Sequence, residues 1–334
     1  MRTVSLLIAS LIVGILLVSL NTATPTKNTK IRIAHGASEG HHLHRALLKF
    51  KRDVEAKSNG HFEVIIYPQS QLGPDRELIE TTQMGIIQIS VPPSSILASW
   101  DTAFEVVELP FIYPSKESAY NVINSSVADN LLERLQLINL KGLGFMESGV
   151  RHMTNNIRPI NNITDFKGIK LRTMKVSSHL ETFNSLEAQA TPMNFGEVFS
   201  ALQQRVVDGQ ENPISLIYAQ RFFEVQKYMT LTNHVMTFYT PVMNLDFWES
   251  LPLSDQLLIK ESFLRASLYQ RKLIASETQQ QVSEMKKAGL IINELDTITR
   301  QAIIAKTHPV REHYREKIGK ELFDAWMFKV HNFE

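Results

Sequence analysis

Between residues 31 and 91 short strand-like runs alternate with helical ones, and few folds accept that order. Ile31 to Ala34 alternates apolar and polar residues as a strand does. Gly36 to Gly40 reads as a turn, and His41 to Ala56 as a helix with Leu43, Ala46, Leu47 and Phe50 on one face. Asn59-Gly60 marks the next turn. Phe62 to Tyr67, rich in aromatic and β-branched residues, predicts a second strand. Pro74 to Met84 predicts a helix with proline at its start, and Ile86 to Val91 a third strand. Strand–helix–strand–helix–strand predicts an α/β sheet with crossover helices.

The pattern recurs further on. Lys141 to Phe145 and Ile169 to Arg172 read as strands, Val176 to Ser185 and Phe195 to Gln204 as helices, and Gly209 as a stop. Met236 to Leu245 reads as a strand returning through Met243. A chain of 334 residues suggests two domains, so these segments predict a second α/β lobe. From Ser254, a candidate cap, a helical pattern runs to Gly289. At 1.5 Å per residue, ~35 residues span about 50 Å, more than one small domain. A single helix of that length must lie along both lobes; the alternative is two helices broken near Ala275 to Gln279. Shorter helices are expected over Ile298 to Lys306 and Val310 to Trp326.

Hydrophobic residues make up 43% and charged residues 21%, which excludes disorder for most of the chain. Lys plus Arg total 35 against 34 Asp plus Glu, so no polyanion such as nucleic acid is expected as a partner. There is no cysteine, which removes disulfides, thiolate nucleophiles and Cys-type metal sites. Residues 1–23 have the layout of a signal peptide: Arg2 as the only charge, an apolar run from Val4 to Leu20, then Asn21 and Thr22, with Ala23 at the cleavage point. An uncleaved anchor is the alternative. Residues 24–30 then form a linker, and the mature chain is expected to be exported.

Three groups of residues carry candidate chemistry. His35, His41, His42 and His44 fall within ten residues. Imidazoles are common metal ligands, so an exported metal-binding protein is one reading. The others are pocket lining for one or two of them and plain surface for the rest. Phe166 to Arg172 is a strand ending on an arginine, and ligands of open α/β sheets bind beyond strand C-termini. A guanidinium there grips a carboxylate through two parallel hydrogen bonds; the alternative is a solvated arginine. Asp208 to Pro213 reads as a turn, with Gly209 allowing positive φ and Asn212 offering an amide. No nucleophile elbow, phosphate loop, dinucleotide fingerprint or carboxylate pair is present, so no enzyme and no cofactor are expected.

Taken together, several segments resemble the DctP-type extracytoplasmic solute receptors of tripartite ATP-independent periplasmic (TRAP) transporters. They are Tyr67-Pro68-Gln69-Ser70-Gln71-Leu72-Gly73, Leu109-Pro110-Phe111, Phe166 to Arg172, and Thr191-Pro192-Met193 with Glu197-Val198 and Ala201-Leu202-Gln203. The last runs into Val207-Asp208-Gly209-Gln210-Glu211-Asn212-Pro213. The resemblance covers roughly residues 31 to 330. It implies a two-lobe periplasmic-binding-protein-like fold (type II-like) with hinge strands and a domain-spanning helix at Ser254 to Gly289. One lobe is expected over 31–149 plus about 240–275, the other over 150–239 plus about 276–334. It implies a receptor in the periplasm of a Gram-negative-type cell that binds a small organic acid and passes it to two membrane subunits, one small with four helices and one a large ion-coupled permease; a monomer is the default expectation. Arg172 matches the family's carboxylate-pairing arginine, Arg151 a second basic residue, Asn212 the pocket asparagine and Phe195 a packing aromatic. Tyr239 falls at a variable pocket position, and His35, Glu39 and Ser94 in regions that tune ligand choice. Pro93-Ser94 stands where a carboxylate can occur in acidic-sugar receptors, and Lys175 where an amide can.

Overall fold

The computed structural model describes residues 28–332. The signal peptide expected at 1–23 lies outside the described residues. Of the expected linker, Thr29 and Lys30 already belong to the first strand, pairing with Phe62 and Glu63.

Among the described residues, twelve strands form two sheets. They are β1 Thr29–Ala34, β2 Phe62–Tyr67, β3 Ile89–Ser90, β4 Leu140–Gly142, β5 Met146–Asn155, β6 Lys170–Thr173, β7 Gln189–Pro192, β8 Gly209–Pro213, β9 Tyr228–Leu231, β10 Met236–Tyr239, β11 Val242–Asn244 and β12 Ile291–Glu294. The first sheet has the order β2-β1-β3-β11-β4, with β1 parallel to β2 and β3. The second has the order β12-β9-β5-β8-β6-β7, with β10 joined to β5. The helices His42–Lys57 and Asp75–Gln83 are the crossovers that the alternating pattern predicts.

The chain passes between the sheets at two neighbouring points. Lys141 to Phe145, expected as one strand, divides because Gly144 takes a left-handed φ of 124°, leaving β4 in one sheet and β5 in the other. Met236 to Leu245 divides at Thr240-Pro241, since Pro241 has no N–H for the ladder. The Pro241 carbonyl instead accepts from the Leu143 N–H at 2.9 Å, tying the two crossings together. The residues Met146–Val150 of β5 pair with β10, and Arg151–Asn155 pair with β8 and β9. Thus β5 and β10 form an antiparallel ribbon linking two lobes.

The segment Asp208 to Pro213 is not a turn: Gly209–Pro213 is β8, buried along its length. Gly209 is needed for closeness rather than for positive φ. A Cβ there would run into the Thr154 carbonyl oxygen and sit 2.8 Å from the Asn155 Cβ.

The long helix is unbroken over Leu253–Lys287. Its N-cap is Pro252 rather than Ser254, and Gly289, at φ 103°, follows its last turn. Ile259, Phe263 and Ala266 enter the core of the first sheet, where Phe263 packs on Phe50 at 4.0 Å between ring centroids. Met285 enters the core against helix Val198–Gln203 and β9. One helix therefore contributes to both cores. Beyond it, helix Thr297–Ile318 continues through Pro309, where the sequence predicted a break. A proline removes one hydrogen bond, but Ile303, Thr307, Val310, Tyr314 and Ile318 keep one buried stripe on both sides of it. The break falls instead at Gly319, φ 97°. The last helix, Lys320–His331, packs on Lys116–Ile123 and Ser126–Glu133.

Candidate ligand-binding site

A cavity of about 830 Å³, counted out to its open mouth, lies where the two sheets meet at the β5–β10 ribbon. Arg151, Arg172, Phe195, Asn212 and Tyr239 all line it, brought together from β5, β6, the turn after β7, β8 and β10. Three other expected residues do not line it. His35 is fully buried against His44, Nε2 to Nδ1 at 3.1 Å, and Glu39 is exposed. Ser94 is buried with its hydroxyl on the Phe238 carbonyl at 3.0 Å and on Thr240 at 2.8 Å, while its neighbour Pro93 forms part of the wall.

The two arginines differ in their partners. Leu171 on β6 points into the core of the second lobe, so strand alternation turns Arg172 to the cavity. Its Nε and Nη2 donate to the Met193 carbonyl at 3.1 and 2.7 Å. Met193 is held in place by its own N–H on the Thr173 carbonyl, at 3.2 Å. Thus the Thr191-Pro192-Met193 motif orients Arg172. Nη1 of Arg172 is buried without a hydrogen-bond partner. Burial pushes this guanidinium down to about 10, with Glu211 pulling the other way, so it stays cationic at neutral pH. The Phe195 ring lies under it, 5.9 Å from Cζ to centroid.

Arg151 is already neutralised. Its Nε and Nη2 fork onto the Glu211 carboxylate, Nη2 at 2.7 Å from Oε1, and Nη2 also reaches the Glu211 carbonyl at 2.5 Å. His234 Nε2 lies 2.9 Å from the same carboxylate. His179 lies between two acids, 3.7 Å from Glu108 and 3.9 Å from Glu211. Burial opposes the charge on Glu211, but Arg151 beside it holds the carboxyl well below its usual range. The Asn212 amide nitrogen is engaged by Gln210 Oε1 at 2.5 Å. Burial pushes the Tyr239 hydroxyl upward, so it remains a neutral donor.

Further lining residues were not singled out as site residues in the sequence. Asp75 opens helix Asp75–Gln83 and is half-buried; burial pushes its carboxyl up to about 6, against the pull of Arg172. Thr237 is buried with its hydroxyl unpartnered. Lys175 and Arg76 also line the wall. The position of Asp75 directly after Gly73-Pro74, at the end of a strand-to-helix connection, was the available signal. Thr237 gives no such signal, because only the β10 bulge at Thr237/Phe238 decides its facing.

The histidine cluster does not form a metal centre. His41 and His42 reach the Ser215 hydroxyl at 3.2 and 3.0 Å, and His42 Nδ1 meets Gln270 at 3.0 Å. All four rings are buried rather than on the surface. Among the described residues no group of three or more His, Asp or Glu is placed to hold an ion.

The comparisons agree with this geometry. A curated solute-binding protein of Verminephrobacter eiseniae is 30% identical over 298 residues, covering 89% of this chain and 88% of its own. The C4-dicarboxylate-binding periplasmic protein DctP of Rhodobacter capsulatus is 31% identical, covering 88% and 89%. Among solved structures, the sugar acid binding protein DctPAm of Advenella mimigardefordensis, in complex with galactonate, superposes with a TM-score of 0.89 at 31% identity, over 91% of this chain and 98% of that one. The DctP family model, bacterial extracellular solute-binding protein family 7, matches residues 33–317. Two lobes on a shared strand ribbon, a helix common to both cores and a match over most of the chain lead to one conclusion: the chain belongs to the DctP family of bacterial extracellular solute-binding proteins.

Proposed function

We propose that this chain captures one small organic acid in the cavity between its lobes and delivers it to the membrane subunits of a TRAP transporter. The observation that carries this reading is the buried Nη1 of Arg172, a cationic donor without a hydrogen-bond partner on a residue that lines the cavity. An unsatisfied buried donor is costly, and a ligand carboxylate relieves that cost through charge-assisted hydrogen bonds. Thr237 and the Tyr239 hydroxyl supply neutral polar contacts for the rest of the ligand, and Phe195 an apolar floor. Arg151, paired with Glu211, positions the wall and adds little free charge.

The two bodies that close are taken as the two sheets with their covering helices, hinged at the β5–β10 ribbon. The helix Lys320–His331 rides with the first body, on which it packs. Ligand selects the closed arrangement because only there do both lobes touch it. Delivery to the permease places the mature chain outside the cytoplasmic membrane, in keeping with the expected signal peptide. His35, Glu39 and Ser94 act behind or beside the wall rather than on the ligand.

The named relatives divide between C4-dicarboxylates and a sugar acid. A thermal-shift panel of succinate, malate, galactonate and D-glucuronate tests the reading. A ligand at 100 times its Kd adds about 2.7 kcal/mol to stability, a clear rise in Tm. No rise with any carboxylate in an extended panel of organic acids contradicts it.

A further inference from the structure

The Leu109-Pro110-Phe111 motif does not line the ligand cavity. It borders a second cleft, of about 1180 Å³ counted to its mouth, on the other side of β5. Val150 lines this cleft while Arg151, the next residue, lines the ligand cavity, as strand alternation requires. Phe111 takes a left-handed φ of 51°. That conformation lets its N–H donate to the His234 carbonyl at 2.7 Å and its own carbonyl accept from Arg311 Nη1 at 3.2 Å.

The charge lining this cleft is one-sided. Arg300, Arg311 and Lys116 contribute to its wall, and among the described residues no aspartate or glutamate does. Lys116 is answered from nearby by Glu147 at 2.9 Å. Among the described residues, Arg300 and Arg311, on the same helix, form no ion pair, and the Arg300 guanidinium makes no hydrogen bond. His152, on the same face of β5 as Val150, has a buried Nδ1 without a partner. Two guanidinium groups without ion-pair partners among the described residues line one cleft and leave donors open. A tetrahedral oxyanion matches the guanidinium fork and fills those donors.

We propose that this cleft is a second anion site, taking a small oxyanion of the phosphate or sulfate class between Arg300 and Arg311. Its floor, His234, hydrogen-bonds Glu211, which holds Arg151 in the ligand-cavity wall. The two sites thus share a hydrogen-bonded chain, but the proposal does not rest on which acid fills the ligand cavity, or on whether one does.

The test is calorimetric titration of inorganic phosphate into the full chain, free of organic acid, at ionic strength held constant with sodium chloride. The expected result is saturable one-to-one binding, weakened at least about tenfold in Arg300→Gln, as loss of a charge-assisted contact implies. Arg300 is half-exposed and its guanidinium has no protein partner, so this variant keeps the fold; Arg311→Gln gives an independent second reading. Binding that survives Arg172→Ala supports a separate site. Binding lost in Arg172→Ala but kept in Arg300→Gln puts the anion in the ligand cavity and overturns the proposal. So does the absence of saturable binding in the wild-type protein.

Discussion

Arg151 and Arg172 look alike in sequence, each basic and each on a strand, but their surroundings give them different work. Arg151 is tied to Glu211 by a bidentate pair, both groups buried. Breaking such a pair by removing one partner costs about 3–5 kcal/mol, because a buried charge is left alone. Glu211→Ala should therefore lower the urea-unfolding free energy by that amount, and a loss below about 1 kcal/mol would show that the pair is not structural. Arg172 should behave in the opposite way. It holds one carbonyl and leaves Nη1 open. Leaving a buried donor unsatisfied costs about 1–3 kcal/mol, more when it is charged, and an apolar side chain of similar volume removes that cost. Arg172→Met should thus leave the ligand-free protein as stable as before, or more so, measured by the same unfolding curve. A large destabilisation would mean that Arg172 serves the fold rather than a ligand. At this scale the sequence revealed where Arg172 sits, since a strand end follows from local pattern. It did not reveal that the Met193 carbonyl orients Arg172, or that Glu211 neutralises Arg151, because those contacts join distant segments.

Strands and helices set the positions of these groups. β8 approaches β5 so closely at Gly209 that a methyl group collides with the Thr154 backbone. Gly209→Ala should cost about 1–3 kcal/mol, the usual penalty for overpacking, and should broaden NMR signals from β5 and β8. The helix His42–Lys57 carries a different constraint. Burial lowers His35 and His42 to about 3 and His41 well below its ordinary value, and it lowers His152 on β5 to about 3. In the folded protein these rings stay neutral, whereas unfolded histidines take up protons below about pH 6.5. Unfolding then binds protons, so stability falls as pH drops from about 6.5 toward 3, by about 1.4 kcal/mol per pH unit for each such ring. His41→Gln should reduce that slope by one ring's share in urea titrations at pH 5 and 6. An unchanged slope would mean that His41 is protonated in the native state. Elements with clean periodicity were legible: β2, and both crossover helices to within two residues. The misreadings came where tertiary pairing outweighed local signals. Asp208 to Pro213 carries turn residues but is recruited as a strand between β5 and β6. Pro309 sits within a helix whose buried stripe runs past it.

At the scale of the whole molecule, near-neutral net charge conceals local separation. Among 35 basic residues, Arg172 is set in the wall between two lobes, and Arg300 and Arg311 line a cleft behind the ribbon that joins them. The Leu253–Lys287 helix enters both cores, so the proposed closure is a hinge at the β5–β10 ribbon rather than free separation. Closure should appear as a smaller radius of gyration in solution scattering once a bound acid saturates the protein; an unchanged radius with saturating ligand argues for a rigid cavity. The most direct test of the account is calorimetric titration of the acid found by thermal shift into wild type, Arg172→Ala and Arg172→Lys. Removing one partner of a buried charge pair costs about 2–5 kcal/mol, so Arg172→Ala should bind roughly 30- to several-thousand-fold more weakly. Lysine, lacking the planar fork, should restore only part of the loss. Near-normal affinity in Arg172→Ala would contradict the assignment of the carboxylate to this arginine.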